Sequence, residues 1–182
     1  MTKRKSTVTA DFIAPILVLT VICLVISGAL ALTNSVTAPV IEETTRRINE
    51  QARLEVLPAA DGFELLQTQD LPETVTEVYK ATNGAGYVFM ITCDGYGGKD
   101  TMHLICGMDA DGVIVRCKTI SHSETAGLGS KTADASFSDQ FTGKNAALDG
   151  VTAISGATRS SDYYINAIRD CFAAYEQVKE AA

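Results

Sequence analysis

The chain has 182 residues, 46% of them hydrophobic and 20% charged, with a formal net charge of −7. That length holds one globular domain with a core plus an appendage and is too short for two full domains. Lys3, Arg4, Lys5 and Asp11 are the charges before residue 34, so residues 34–182 carry 12 basic and 21 acidic side chains, net −9, and offer no basic footprint for nucleic acid. Cysteines stand at 23, 93, 106, 117 and 171 with no C-x-x-C among them, which excludes zinc-ribbon, ferredoxin-type and c-type haem ligation by this chain alone.

Phe12–Leu32 is an uncharged run of 21 residues. As a helix rising about 1.5 Å per residue it reaches about 30 Å, one hydrocarbon thickness. Pro15 falls in its first turn, where a missing N–H is tolerated. Lys3, Arg4 and Lys5 precede the run, while the next basic residues, Arg46 and Arg47, lie beyond Glu42 and Glu43. The positive-inside rule therefore puts residues 1–11 in the cytoplasm, 12–33 across the plasma membrane and the rest outside. A cleaved signal peptide is the competing reading, because Ala29-Leu30-Ala31 is an A-x-A pattern. The run is longer than the roughly 7–15-residue apolar region of such peptides, which favours a retained anchor. No ionisable residue interrupts it, so it anchors and does not conduct ions.

Residues 34–75 read as a helical lead-in and linker. A helix over 36–57 has Pro39 near its start and an intermittent apolar face of Val40, Ile41, Ile48, Ala52 and Val56, ended by Pro58 and Asp61-Gly62. From 76 to 182 the pattern is that of a separate α+β domain. Val78–Thr82 and Tyr87–Cys93 predict strands around Asn83-Gly84-Ala85-Gly86, and Thr101–Met108 and Val113–Ile120 a second hairpin around Asp109–Gly112. In that last strand Val113, Val115 and Cys117 alternate with Ile114, Arg116 and Lys118, which predicts one buried face.

The hairpin register stays open. A two-residue turn at Asp111-Gly112 sets Cys106 opposite Cys117, whereas a four-residue loop sets it opposite Val115. Disulfides and buried free thiols are both open for Cys93, Cys106, Cys117 and Cys171. Residues 121–150 shift to Ser, Thr, Gly, Ala and Asp, a loop with room for one short helix. Val151–Ile154 reads as a strand, and a final helix starts near Ser160-Ser161-Asp162 with the apolar face Tyr164, Ile168, Cys171, Phe172, Tyr175 and Val178. The predicted fold is a small antiparallel sheet packed with helices.

Two apparent motifs fail on chemistry. Gly127–Thr132 looks like the end of a phosphate-binding P-loop, but Thr125 and Ser130 stand where that loop needs glycine. Ser121-His122-Ser123-Glu124 has the residue types of a catalytic triad without a G-x-S-x-G elbow. Three stretches remain: Gly95-Tyr96-Gly97-Gly98, His122–Gly129, and Ser155-Gly156-Ala157-Thr158-Arg159-Ser160-Ser161. The last one joins an apolar run to a helix through two of the smallest residues and a hydroxyl. Such a junction leaves helix N–H groups free for a phosphate, and Arg159 offers a charge-assisted contact. The alternative is a plain turn with serine caps.

Ser155–Ser161 resembles the flavinylation motif of the FMN-binding domain family, to which the G subunits of Rnf-type electron-transport complexes and the C subunits of Na⁺-translocating NADH:quinone reductases belong. His122-x-Glu124-Thr125-Ala126-Gly127-Leu128-Gly129 is similar to that family's H-x-E-T-P-G-L-G, with Ala126 in place of proline, and Gly95–Gly98 resembles its glycine-rich loop. Thr152 stands where the family commonly has an acidic residue. All three motifs occur in family order behind one anchor.

The resemblance implies that Thr158 carries one FMN per chain through a phosphoester bond, installed from FAD by a dedicated flavin transferase. Ser155, Gly156, Ala157, Arg159 and Ser160 would surround the attachment point. Gly95, Tyr96, Gly97, Gly98, His122, Glu124, Thr125, Gly127 and Leu128 would contact the cofactor. It further implies a redox subunit of an ion-translocating complex that relays electrons between an iron–sulfur centre and a second flavin subunit, coupled to Na⁺ or H⁺ movement. No G-x-G-x-x-G follows a strand, so no nicotinamide site is expected; nor is a complete ferredoxin site, a catalytic side chain or a metal site of its own assigned. The alternatives are a stand-alone extracytoplasmic flavoprotein reductase and a non-redox anchored binding module.

Overall fold

A computed structural model of the chain describes residues 8–68 and 70–181. Lys3, Arg4 and Lys5, which carry the topology expectation, lie outside them. The chain forms two compact units, one ending at Arg47 and one beginning at Ile48.

The first unit is most of helix α1, Val8–Val56. From Ile13 onward it holds an 18-residue window of mean hydropathy 2.7 that is nowhere buried, so it is long and apolar enough to cross a membrane. Several of its hydroxyls bond back within the helix: Thr20 Oγ1 donates to the Ile16 carbonyl at 2.8 Å and Thr33 Oγ1 to that of Ala29 at 3.0 Å. The expectation of a new helix starting near Pro39 is corrected, because Pro39 lies inside one continuous helix. A helix already formed on both sides accommodates the ring at the loss of one hydrogen bond. Glu43 pairs with Arg46 at 3.1 Å and Arg47 at 2.9 Å, spacings that support an exposed helix.

The second unit is built on a five-stranded antiparallel meander: β1 (Phe63–Leu66), β2 (Val75–Ala81), β3 (Gly86–Gly95), β4 (Gly98–Asp109) and β5 (Ile114–His122), in that spatial order. The two expected hairpins form, and β1 joins as an edge strand that alternation did not announce. Both faces of the sheet are covered. Phe89, Ile91, Leu104, Cys106 and Met108 point to helix α3, Thr158–Ala181. Val88, Met90 and Ile105 point to the last turns of α1 through Ala52, Val56, Leu57 and Ala60. Residues of alternate parity on β3 and β4 thus enter different cores, which is why β3 is apolar almost throughout. A Cβ on Gly107 would overlap the Val56 carbonyl, so that glycine sets how closely α1 approaches β4.

The β4–β5 register places Cys106 opposite Cys117, by way of a bulge between Gly107 and Met108. The bulge also shifts the phase of β5: Ile114 and Cys117 face one core and Val115 and Ile120 the other, in place of the single alternating buried face. The cysteines are free thiols, with Cys117 Sγ 3.2 Å from Cys106 Sγ. Between β5 and α3 lie two 3₁₀ turns and one short helix, α2 (Ala135–Ser138). Phe137 and Phe141 pack on Tyr164 with ring centroids 5.2 Å away in each case. The strand expected at Val151–Ile154 is not formed. Its backbone is paired by side chains: Gln140 Oε1 accepts from Thr152 N at 3.0 Å, and Ser161 Oγ accepts from Ile154 N at 3.0 Å.

Candidate functional site

Helix α3 begins at Thr158 immediately after a turn at Ile154–Ala157, closed by Ala157 N donating to the Ile154 carbonyl at 2.9 Å. Gly156 takes φ +82°, a conformation that a side-chain-bearing residue adopts only with strain. The first helical hydrogen bond runs from Ser161 N to the Ala157 carbonyl at 3.0 Å. The N–H groups of Thr158, Arg159 and Ser160 therefore have no acceptor among the described residues, and Ala157 has no side chain to supply one. A helix of 24 residues concentrates partial positive charge at that end. The Thr158 side chain is exposed, and its hydroxyl makes no hydrogen bond among the described residues.

This end of α3 opens on a cavity of about 370 Å³ lined by Tyr96, Glu124, Thr125, Leu128, Gly129, Gly156, Ala157, Thr158, Arg159 and Ser160. Three segments far apart in sequence supply it. Tyr96 comes from the hairpin between β3 and β4, where Gly95 pairs with Gly98. Glu124 to Gly129 follow β5, and Gly156 to Ser160 lead into α3. Tyr96 and Leu128 are exposed apolar side chains, 66% and 49% accessible, at the cavity mouth. The Arg159 guanidinium turns to Tyr163, whose hydroxyl accepts from it at 3.1 Å.

The remaining expected residues lie outside the cavity lining. Gly95 lies against the Glu124 carboxylate, and Gly97 is near the Ser123 carbonyl. Gly98 opens β4. His122 ends β5, and its Nδ1 accepts from Glu124 N at 3.2 Å. Gly127 N donates to Ser130 Oγ at 2.9 Å, and Ser155 is exposed just ahead of the Gly156 turn. Two residues of these motifs have a role here beyond the contacts expected from sequence. Gly129 lines the cavity, and its place at the end of the His122–Gly129 run was the available signal. Ser161 ties the turn to the helix, since its Oγ also donates to the Ala157 carbonyl at 3.0 Å.

Electrostatically the site is an amide-rich hollow with one buried carboxylate, Glu124, and the Arg159 side chain on its lining. Cys93, on β3 nearby, is pushed up to about 12 by burial and then by neighbouring carboxylates, Asp94 first, so it is a neutral thiol. No cluster of three potential ligands for a metal ion occurs among the described residues. The features present suit a phosphomonoester: free amides at a helix N-terminus, two small residues that admit a bulky group to the backbone, and an apolar rim for a planar ring.

Comparison with known proteins agrees. A model of the FMN-binding domain family matches residues 95–173. The chain is 40% identical over 167 residues to the G subunit of the Na⁺-translocating ferredoxin:NAD⁺ oxidoreductase complex of Acetobacterium woodii, covering 84% of this chain and 79% of that protein. It is 29% identical over 166 residues to the G subunit of the ion-translocating oxidoreductase complex of Methanosarcina acetivorans, covering 84% and 88%. To the G subunit of the proton-translocating ferredoxin:NAD⁺ oxidoreductase complex of Clostridium ljungdahlii it is 27% identical over 139 residues, covering 75% and 70%.

Proposed function

From a chain that belongs to the G-subunit family of ion-translocating ferredoxin:NAD⁺ oxidoreductase complexes, and that carries that family's FMN-binding domain, we propose a membrane-anchored electron carrier with FMN attached to Thr158. Attachment forms a bond between Thr158 Oγ1 and the phosphorus of the FMN half of FAD. The pyrophosphate bond breaks, AMP leaves with its electron pair, and the hydroxyl proton is released. A flavin transferase is the partner for that step. The observation that carries the reading is the exposed Thr158 hydroxyl in the first turn of a helix whose leading N–H groups are unpaired.

The protein's own groups have separable tasks. The amides of Thr158, Arg159 and Ser160 would hold the phosphate, and Gly156 and Ala157 leave space for it. Tyr96 and Leu128, exposed on the lining, would flank the ring and shield it from water. FMN, when bound, supplies the capacity to accept and release one or two electrons. A covalent link suits a domain on the outer face of the membrane, where a dissociated cofactor would be lost. In this reading the N-terminus is cytoplasmic, α1 anchors the subunit, and the domain passes electrons between an iron–sulfur centre and a flavin in neighbouring subunits, coupled to Na⁺ or H⁺ transport.

Intact-mass analysis of the chain treated with a flavin transferase and FAD tests this. The expected result is a gain of one FMN less one water on the peptide containing Thr158, absent from Thr158→Ala. An unmodified chain, beside a control substrate that the same transferase modifies, overturns it.

A further inference from the structure

We propose that Glu124 is the positioning residue of this site: its buried carboxylate pins the first turn of α3 to the β3–β4 hairpin, so that Thr158 and the group it carries stay fixed over the cavity. The inference rests on the reading of Thr158 as the FMN-bearing residue.

A carboxylate is a poor core component unless its charge is matched by hydrogen-bond donors or a cation. Glu124 is 9% exposed, and no Lys or Arg among the described residues forms an ion pair with it. Both oxygens are nevertheless used. Oε1 accepts from Tyr96 N at 2.8 Å, and Oε2 accepts from Ser160 Oγ at 2.5 Å. Charge-assisted bonds of this length are the strong class. Their partners lie 28 and 36 residues away in sequence, so one side chain cross-links all three segments of the site. The fit leaves no slack: a Cβ on Gly95 or on Gly129 would overlap the carboxylate. Glu124's own N–H is held by His122 Nδ1, which fixes the main chain from which the side chain projects.

With both oxygens engaged inside the protein, Glu124 acts on Thr158 through Ser160, two residues beyond it. Fixing a reacting group's orientation matters greatly, since a displacement of about 1 Å costs on the order of a hundredfold in a reaction that depends on alignment.

The experiment loads the full chain in detergent with FMN, using flavin transferase and FAD, and follows the steady-state anisotropy and the visible absorption band of the attached flavin. Wild type, Glu124→Ala, Glu124→Gln and Ser160→Ala are compared, each checked for folding by far-UV circular dichroism. Glu124→Ala is expected to load while its flavin anisotropy falls by roughly twofold or more, towards that of a freely tethered ring moving on the nanosecond scale. Glu124→Gln keeps the shape and an acceptor for Tyr96, and restores most of the anisotropy. Ser160→Ala, which removes one hydrogen bond and keeps the carboxylate, falls in between and serves if Glu124→Ala does not fold. Failure of folded Glu124→Ala to load while Glu124→Gln loads also supports positioning, because the acceptor itself is then misaligned. Wild-type anisotropy and band shape in loaded Glu124→Ala overturn the inference and leave the Thr158 reading standing. A wild-type chain that takes up no FMN overturns the Thr158 reading, and this inference with it.

Discussion

Glycine at 129 matters for what it keeps out. An alanine methyl there would meet the Glu124 carboxylate and stand 2.7 Å from Ser160 Oγ, both already held by hydrogen bonds. Gly129→Ala is expected to lower stability by about 1–3 kcal/mol, the usual range for overpacking, read as a fall in the urea midpoint. The buried thiols make a second prediction, about pH. Cys93 is raised from 9.0 to about 12, chiefly by burial, whereas in the hydrogen-bonded trio Cys117 and Cys171 are raised and Cys106 is lowered, so their shifts oppose one another and Cys93 carries the prediction. A thiol whose folded pKa is raised keeps its proton in the folded state when the unfolded chain loses it. Its contribution is therefore complete below about 9 and is lost as pH climbs from 9 towards 12. The urea midpoint should fall steadily between pH 9 and 11, and Cys93→Ala should flatten part of that slope.

Among the elements, α3 was the most legible in sequence. Tyr164, Ile168, Cys171, Phe172, Tyr175 and Val178 fall on one helical face, and all are buried. Its entry is held by Ser161, whose hydroxyl donates to the Ala157 carbonyl and accepts from Ile154 N. Ser161→Ala leaves that N–H without its partner and should cost about 1–3 kcal/mol, again by urea denaturation. The same contact explains a misreading. Val151–Ile154 has the composition of a strand, but side chains of Gln140 and Ser161 satisfy its backbone, and no local pattern encodes partners that distant. β1 was illegible for the opposite reason: its four residues show no alternation, and it exists through its pairing with Val78–Ala81. The motif residues stood out because small residues, hydroxyls and glycines are demanded locally. The role of Glu124 did not, because its partners are supplied by other segments. The Cys106–Cys117 register turned on a bulge that turn chemistry leaves undetermined.

For the whole molecule, the second compact unit begins at Ile48, well before the residues whose strand pattern announces a domain. Ala52, Val56, Leu57 and Ala60 cover one face of the sheet, and Val88, Met90 and Ile105 beneath them are buried. A fragment of residues 48–182 is therefore expected to be soluble, with a cooperative thermal transition. One of residues 76–182 exposes that apolar face, lacks β1, and should aggregate or bind a hydrophobic dye. The unpaired amides at the start of α3 have an energetic corollary. Ala157 cannot cap the helix, a lack worth about 0.5–2 kcal/mol, and a phosphate esterified to Thr158 would take the place of the missing cap. The stability of the fold is then linked to the state of one hydroxyl. In matched scans the flavin-loaded chain should melt above the unloaded one, making maturation visible as a shift in Tm even where the flavin itself is not observed.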